Sequence, residues 1–151
     1  MSGEAPGVTR EEGAQALAER LVGAMLAKDA FSAWLGLEVV ELRPAACTVR
    51  MSVRAEMVNG FGVCHGGIAF SLADSALAFA SNTHGTVTVS IENSITYPAP
   101  VRVGDTLTAT AVEEAASSRL AFYRVAVRNQ DGTTVALFRG TVYRTAREMD
   151  T

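Results

Sequence analysis

The chain has 151 residues, 48% of them hydrophobic and 19% charged, with a formal net charge of −3 and a pI near 5.4. That length supports one domain with its own core, and the singly scattered Lys and Arg residues offer no basic block able to neutralise several phosphates, which excludes a nucleic-acid partner. Cys47 and Cys64 are too few for a disulfide framework, and no CxxC or Cys/His cluster has metal-ligand spacing, so no metal is expected.

In chain order, residues 1–12 mix Gly, Pro, Ser and charge without an apolar period and read as a flexible tail, with a single domain over 13–147 and a second short tail at 148–151. The opening MSGEAPGVTREEG has neither a basic n-region nor an apolar h-region, so a cytoplasmic protein is expected. From Gly13, Leu17, Leu21, Met25 and Leu26 recur at helical spacing, which predicts an amphipathic helix ending near Gly36. LEVVELRP and ACTVRMSVRAEM follow, the latter with Cys47, Val49, Met51 and Val53 alternating against Thr48, Arg50, Ser52 and Arg54. Period two predicts a half-buried strand.

Turn residues fill VNGFGVC, and GGIAFSLADSALAFASNTHG then carries Ile68, Leu72, Ala76 and Phe79 on one stripe with alanines and Leu77 over much of the rest. A helix apolar nearly all round is a buried one, and His84-Gly85 is read as its stop. The preceding charge-free stretch, Val58 to Ala73, is broken by Asn59, His65 and four glycines, so it lacks the uniformity of a membrane span. Four strand-like runs close the chain, with Gly104-Asp105 and Gln130-Asp131-Gly132 at expected hairpin turns. Two strands before the buried helix and four after it, without βαβ alternation, predict an α+β fold with an antiparallel sheet of five to six strands wrapped around the helix.

Gly66 and Gly67 at the head of that helix allow a ligand close to the backbone and leave amide N–H groups at the positive end of the helix dipole. Glycine that merely relieves crowding against the sheet is the structural alternative. Asp74 lies in the third turn of an otherwise apolar helix, where a carboxylate is costly to bury unless it is bonded, for instance to Ser71 or Ser75, or used. Donor amides at the head and a carboxylate on the body suit acyl transfer. Eight residues separate Gly66 from Asp74, about 12 Å along a helix, whereas both must come within roughly 3 Å of one carbonyl group. Two copies packed antiparallel meet that condition, so this chemistry implies a homodimer with shared sites.

Asn59, His65-Gly66-Gly67 and Asp74, spaced N-x5-HGG-x6-D and followed by VSIENSITYPAPVRVGDTLTATA and ALFRG, resemble the hotdog-fold acyl-CoA thioesterases, most closely the phenylacetic acid degradation (PaaI) branch. The resemblance implies that Gly66, aided by Asn59, His65 and Gly67, holds the thioester carbonyl while Asp74 acts as nucleophile or as general base for water. Ser90 falls where some related enzymes place a serine near the water. Phe61 and Tyr97 are candidates for the acyl pocket, although aromatics are more often plain core. A relative's asparagine near Asp29 is replaced here by Lys28, which leaves acyl specificity open. The resemblance further implies an aryl- or arylacetyl-CoA substrate, no cofactor apart from the CoA of the substrate, and a homotetramer built as a dimer of dimers. Hotdog-fold hydratase-dehydratases and non-catalytic acyl-CoA-binding proteins are the alternatives. The HGG and Asp spacing favours the thioesterase over the first, and acidic charge without a helix-turn-helix disfavours a transcriptional sensor. Adjacent Cys64 and His65 point apart in most backbones, so a Cys-His nucleophile is disfavoured. His84 at a helix C-terminus is unremarkable, and Arg102, Arg139 and Arg144 are candidates for the CoA phosphates, with solvated strand positions as the better default.

Overall fold

A computed structural model describes residues 9–150. Helix α1 (Arg10–Leu26) leads into a short α2 (Ala30–Leu35), then β1 (Glu38–Arg43) and β2 (Ala46–Ser52). The long helix α3 (Gly66–Ser81) follows, and β3 (Thr86–Thr96), β4 (Thr106–Ala116), β5 (Leu120–Arg128) and β6 (Thr134–Glu148) complete one six-stranded sheet in the order β1-β2-β4-β5-β6-β3. Every pairing is antiparallel. The sheet curls around α3, the hotdog architecture expected from the sequence.

Alternation decides which face of the sheet meets the helix. Cys47, Val49 and Met51 of β2, Leu107, Ala109 and Ala111 of β4, and Tyr123, Val125 and Val127 of β5 are all buried, while Arg50, Arg124 and Arg128 face outward. Onto this surface α3 sets Ala69, Leu72, Ala73, Ala76, Leu77, Phe79 and Ala80. The alanines bring the helix axis close to the sheet, and full burial of Leu72, Leu77 and Phe79 contributes about 1.5–3 kcal/mol each. Burial is not uniform around the helix, however. Gly67 is exposed and Ser71, Asp74, Ser75 and Ala78 are only half-buried, so one side of α3 stays open in a single chain.

Local chemistry moves several boundaries. The first helix begins at Arg10 rather than Gly13, because Thr9 and Glu12 form a reciprocal cap: the Thr9 hydroxyl accepts from Glu12 N and the Glu12 carboxylate accepts from Thr9 N. The expected tail at 1–12 therefore overlaps a helix, and its remainder lies outside the described residues. The expected single helix to Gly36 is two helices. Asp29 caps α2 by accepting from Ser32 N at 2.9 Å and from Ser32 Oγ at 2.6 Å, and Gly36 closes it at φ 70°.

At its C-terminus α3 stops at Ser81, before His84-Gly85. Buried Asn82 donates to Ala78 O and Thr88 O and accepts from Thr88 N, which clamps the helix end to β3. Gly104-Asp105 is a turn but joins no hairpin, since β3 pairs with β6 and β4 pairs with β2 and β5. Asn129 to Thr133 does join the β5-β6 hairpin, as its Asp131-Gly132 pair predicted. The last strand runs to Glu148 and Met149 N donates to Gly85 O, so the first two residues of the expected tail at 148–151 belong to the sheet end. No helix among the described residues is long and apolar enough to cross a membrane.

Candidate active site

The loop ahead of α3 is built by Asn59. Its Oδ1 accepts from Phe61 N at 2.9 Å and from Val63 N at 3.4 Å, Gly62 N donates to Asn59 O, and Gly62 takes φ 75°. The loop returns the chain to Cys64 N, which donates to Val101 O, and to His65 N, which donates to Met57 O. The head of α3 is thereby pinned to the short helical turn after β2 and to the loop between β3 and β4.

His65 is the N-cap of α3, and its Nδ1 accepts from Gly67 N at 3.1 Å. A neutral imidazole accepting at Nδ1 carries its proton on Nε2, which leaves that nitrogen as a donor. His65 O accepts from Ile68 N. Of the first three amides of the helix, the second and third are thus engaged. Gly66 N–H meets no acceptor among the described residues, and it is the amide donor this helix head offers. Gly67, a candidate alongside it, has its amide taken by His65.

Tyr97, just past the end of β3, lies over the same point, its OH donating to Gly66 O at 2.9 Å. A Cβ on Gly66 would stand 3.0 Å from Tyr97 Cζ and 3.1 Å from its oxygen. The glycine is needed for this close approach, not for an unusual φ. Beside it opens a cleft of about 390 Å³ lined by His65, Gly66, Ala69, Tyr97, Pro98 and Val101 among others. Phe61 is not among its lining residues and is 93% exposed at the loop tip.

Two turns along, Asp74 is half-buried and bonded to neither Ser71 nor Ser75. Ser71 Oγ donates to Gly67 O, and Ser75 Oγ lies 3.4 Å from Ser32 Oγ. Asp74 Oδ1 instead accepts from Asn93 Nδ2 of β3 at 3.2 Å, and Asn93 Oδ1 accepts from Ser90 Oγ at 2.8 Å. Burial pushes the Asp74 carboxyl above its ordinary value and the Asn93 bond partly offsets it. Asn93 escaped the sequence reading because no local spacing links a strand position to a helix position nineteen residues earlier.

One chain therefore holds two separate clusters of candidate residues. Asn59, His65, Gly66, Gly67 and Tyr97 gather at the head of α3, while Asp74 with Ser90 and Asn93 gathers at its middle, about 12 Å away along the helix. Cys64 takes no part as a nucleophile. Its thiol lies 3.6 Å from His65 O, and burial followed by the charge of Asp105 raises its pKa, whereas a reactive thiol needs a lowered one. Cys47 is core, its thiol pushed up to about 12 by burial. Among the described residues no group of His, Cys, Asp and Glu is arranged to hold a metal.

An amide-bearing helix head, a carboxylate on the same helix and a wrapped antiparallel sheet define the hotdog thioester hydrolases. The profile of the Thioesterase superfamily matches residues 61–136, and the chain belongs to that family, in its PaaI-type branch. It is 40% identical over 121 residues to the acyl-coenzyme A thioesterase PaaI of Escherichia coli K12, covering 80% of this chain and 86% of that protein. The structure of the E. coli PaaI protein from the phenylacetic acid degradation operon superposes with a TM-score of 0.87 at 37% identity, over 90% of this chain and 99% of that one. A mutant of the phenylacetic acid degradation protein PaaI from Thermus thermophilus gives a TM-score of 0.74 at 44% identity, over 78% and 100% of the two chains. A hypothetical thioesterase from Streptococcus pneumoniae TIGR4, solved with coenzyme A, gives 0.77 at 25% identity, over 83% and 98%.

Proposed function

We propose that this thioester hydrolase acts on acyl-CoA, with an aryl- or arylacetyl group such as phenylacetyl as the preferred acyl part. The observation that carries the reading is the uncommitted Gly66 amide at the head of α3, beside the cleft under Tyr97. A thioester carbonyl accepting that N–H gains most as its oxygen becomes an oxyanion, since the helix dipole adds to the bond. The Nε2–H of His65 is the second donor. The activities in the names of the E. coli relative and of the CoA-bound streptococcal one support the CoA ester, and the phenylacetic acid titles support the acyl class.

The carboxylate is Asp74 of a second copy. An antiparallel pairing of α3 with its symmetry mate sets each helix head beside the other's middle, and the open side of α3 together with the free edge of β3 is the surface available for it. Asp74 attacks the carbonyl or takes a proton from the attacking water. Either route converts thioester and water into carboxylic acid and free thiol, a redox-neutral hydrolysis for which these groups suffice without a cofactor. The outer sheet face, with Phe122 and Leu137 exposed, supplies apolar surface for two dimers to join as a tetramer.

Release of free thiol from a panel of acyl-CoAs tests the reading. Phenylacetyl-CoA or a ring-hydroxylated relative is expected to exceed acetyl-CoA and palmitoyl-CoA by about tenfold in kcat/KM, the range that pocket fit to an apolar group supplies. Equal rates across the panel would mean a generalist, and palmitoyl-CoA as best substrate would displace the arylacetyl reading.

A further inference from the structure

Asn93 stands in β3 on the face turned toward α3, opposite Gly140 of β6. Successive pairings carry this row across the sheet: Glu113 of β4 faces Tyr123 of β5, Tyr123 faces Gly140, and Gly140 faces Asn93. Gly140 is the one position in the row without a side chain, and the space is occupied by its neighbours. A Cβ there would lie 2.5 Å from Leu77 Cδ2 and 2.8 Å from Asn93 Oδ1. Leu77 fills the gap from the helix side and the Asn93 amide from the strand side. The amide is thus held beneath α3 with Nδ2 on Asp74 Oδ1 and Oδ1 accepting from Ser90 Oγ.

We propose, resting on the reading of Asp74 as the reacting carboxylate, that Asn93 is a positioning residue for that carboxylate and that Ser90 acts through Asn93 rather than on the substrate or the water. Donation from Nδ2 ties up Oδ1 and fixes the rotation of the carboxylate. Oδ2, which accepts no bond among the described residues, is left as the reacting oxygen. The Ser90 hydroxyl polarises the amide in the same direction, so the two bonds reinforce one another. Donation to a carboxylate also favours its charged form, against the desolvation that raises its pKa.

The ionisable groups of the surrounding elements are held elsewhere. Glu113 accepts from Tyr123 and Arg144, Glu92 of β3 accepts from Thr141, and Asp29 at the head of α2 is bonded to Ser32. Cys47 of β2 is buried in the core, Arg124 and Arg139 point to the outer face, and His65 and His84 lie at the two ends of α3. Asn93 is the side chain that bonds Asp74.

The test uses the full chain labelled with ¹³C at the aspartate carboxyls, with Asp74→Asn assigning the resonance, and follows the Asp74 titration in wild type, Asn93→Leu and Ser90→Ala. Asn93→Leu is expected to move the titration up by roughly half a pH unit or more. It should lower kcat about three- to tenfold at neutral pH, the weight of one hydrogen bond, with KM within about twofold and the acid limb of the rate profile displaced the same way. Ser90→Ala, at an exposed position, should shift both in the same direction by less, and it carries the test if Asn93→Leu does not fold. An unmoved titration with intact kcat in both variants overturns the proposal. The titration is read without turnover, so a wild-type chain inactive on every acyl-CoA would overturn the thioesterase reading separately.

Discussion

Asp74 has two consequences of opposite sign. As the group proposed to meet the reacting carbonyl, it is expected to cost about two or more orders of magnitude in kcat when changed to Asn, with CoA-ester binding retained. As a half-buried carboxyl whose folded pKa lies above the ordinary 3.8, it opposes folding wherever it is ionised. The fold binds its proton more tightly than the unfolded chain does, so the penalty is present above the folded pKa and is relieved as pH falls through it. Asp74→Asn should therefore raise Tm at pH 7, and the gain should shrink as the pH drops into the carboxylate range, as thermal melts across pH would show. If Asp74 is the reacting group, the same ionisation should set the acid limb of kcat/KM above the pH expected of an exposed aspartate. Gly66 and Asp74 stand out in the sequence as candidates because a glycine pair at a helix head and a charge in an apolar helix each break a local rule for which the surroundings must compensate. Asn93 breaks none, since a polar residue in a strand is ordinary, and its importance exists only once β3 is folded against α3.

At the level of elements, the head of α3 and the β6 strand beneath its middle depend on missing side chains for different reasons. At Gly66 an added Cβ meets the half-exposed Tyr97 ring, which can swing outward, so Gly66→Val should raise KM and lower kcat together with little loss of Tm. A variant that lost only stability would make the glycine structural. At Gly140 the added methyl meets buried Leu77 and Asn93 at once, and overpacking of this kind typically costs about 1–3 kcal/mol. Gly140→Ala should lower the denaturant midpoint and also disturb the Asp74 titration, because the Asn93 amide is what has to move. Strand alternation and the helical apolar stripe made the elements readable. Their ends were less so where a side chain competes with periodicity: the Thr9-Glu12 cap extends α1 backward, Asp29 splits what spacing alone reads as one helix, and Asn82 halts α3 ahead of His84-Gly85.

For the molecule as a whole, the proposed pairing of Gly66 and Asp74 in one reaction, with about 12 Å between them on one helix, would have each site draw its amide and its carboxylate from different subunits. Two inactive variants, one blocked at Gly66 and one lacking Asp74, should complement each other when mixed. A heterodimer of the two has one site with both lesions and one with neither. Random reassortment gives about half heterodimers, so activity should return to about a quarter of wild type by this symmetry. Exchange verified by mass with no recovery of activity would mean that the site is not shared across the two-fold axis. Pairing order was the part of the architecture least visible in the sequence. Gly104-Asp105 carries hairpin chemistry but joins β3 at the sheet edge to β4 near its centre, and a turn records nothing about a partner forty residues further on.

That strand order also determines when the site can assemble. During synthesis, β1 and β2 can pair once both have emerged and β2 can add β4 later, but β3 has to wait for β6, the last strand made, since that is its one neighbour in the sheet. Until then the strand bearing Ser90 and Asn93 has no ladder partner on either edge, and its backbone N–H and C=O groups stand open to other nascent chains. The carboxylate on α3 thus gains its support only at the end of translation. A chain stopped before Thr134 has α3 and most of the core sequence, yet its β3 lacks the only strand that pairs with it among the described residues, and the Asn93 bond to Asp74 loses the strand that holds Asn93 in place.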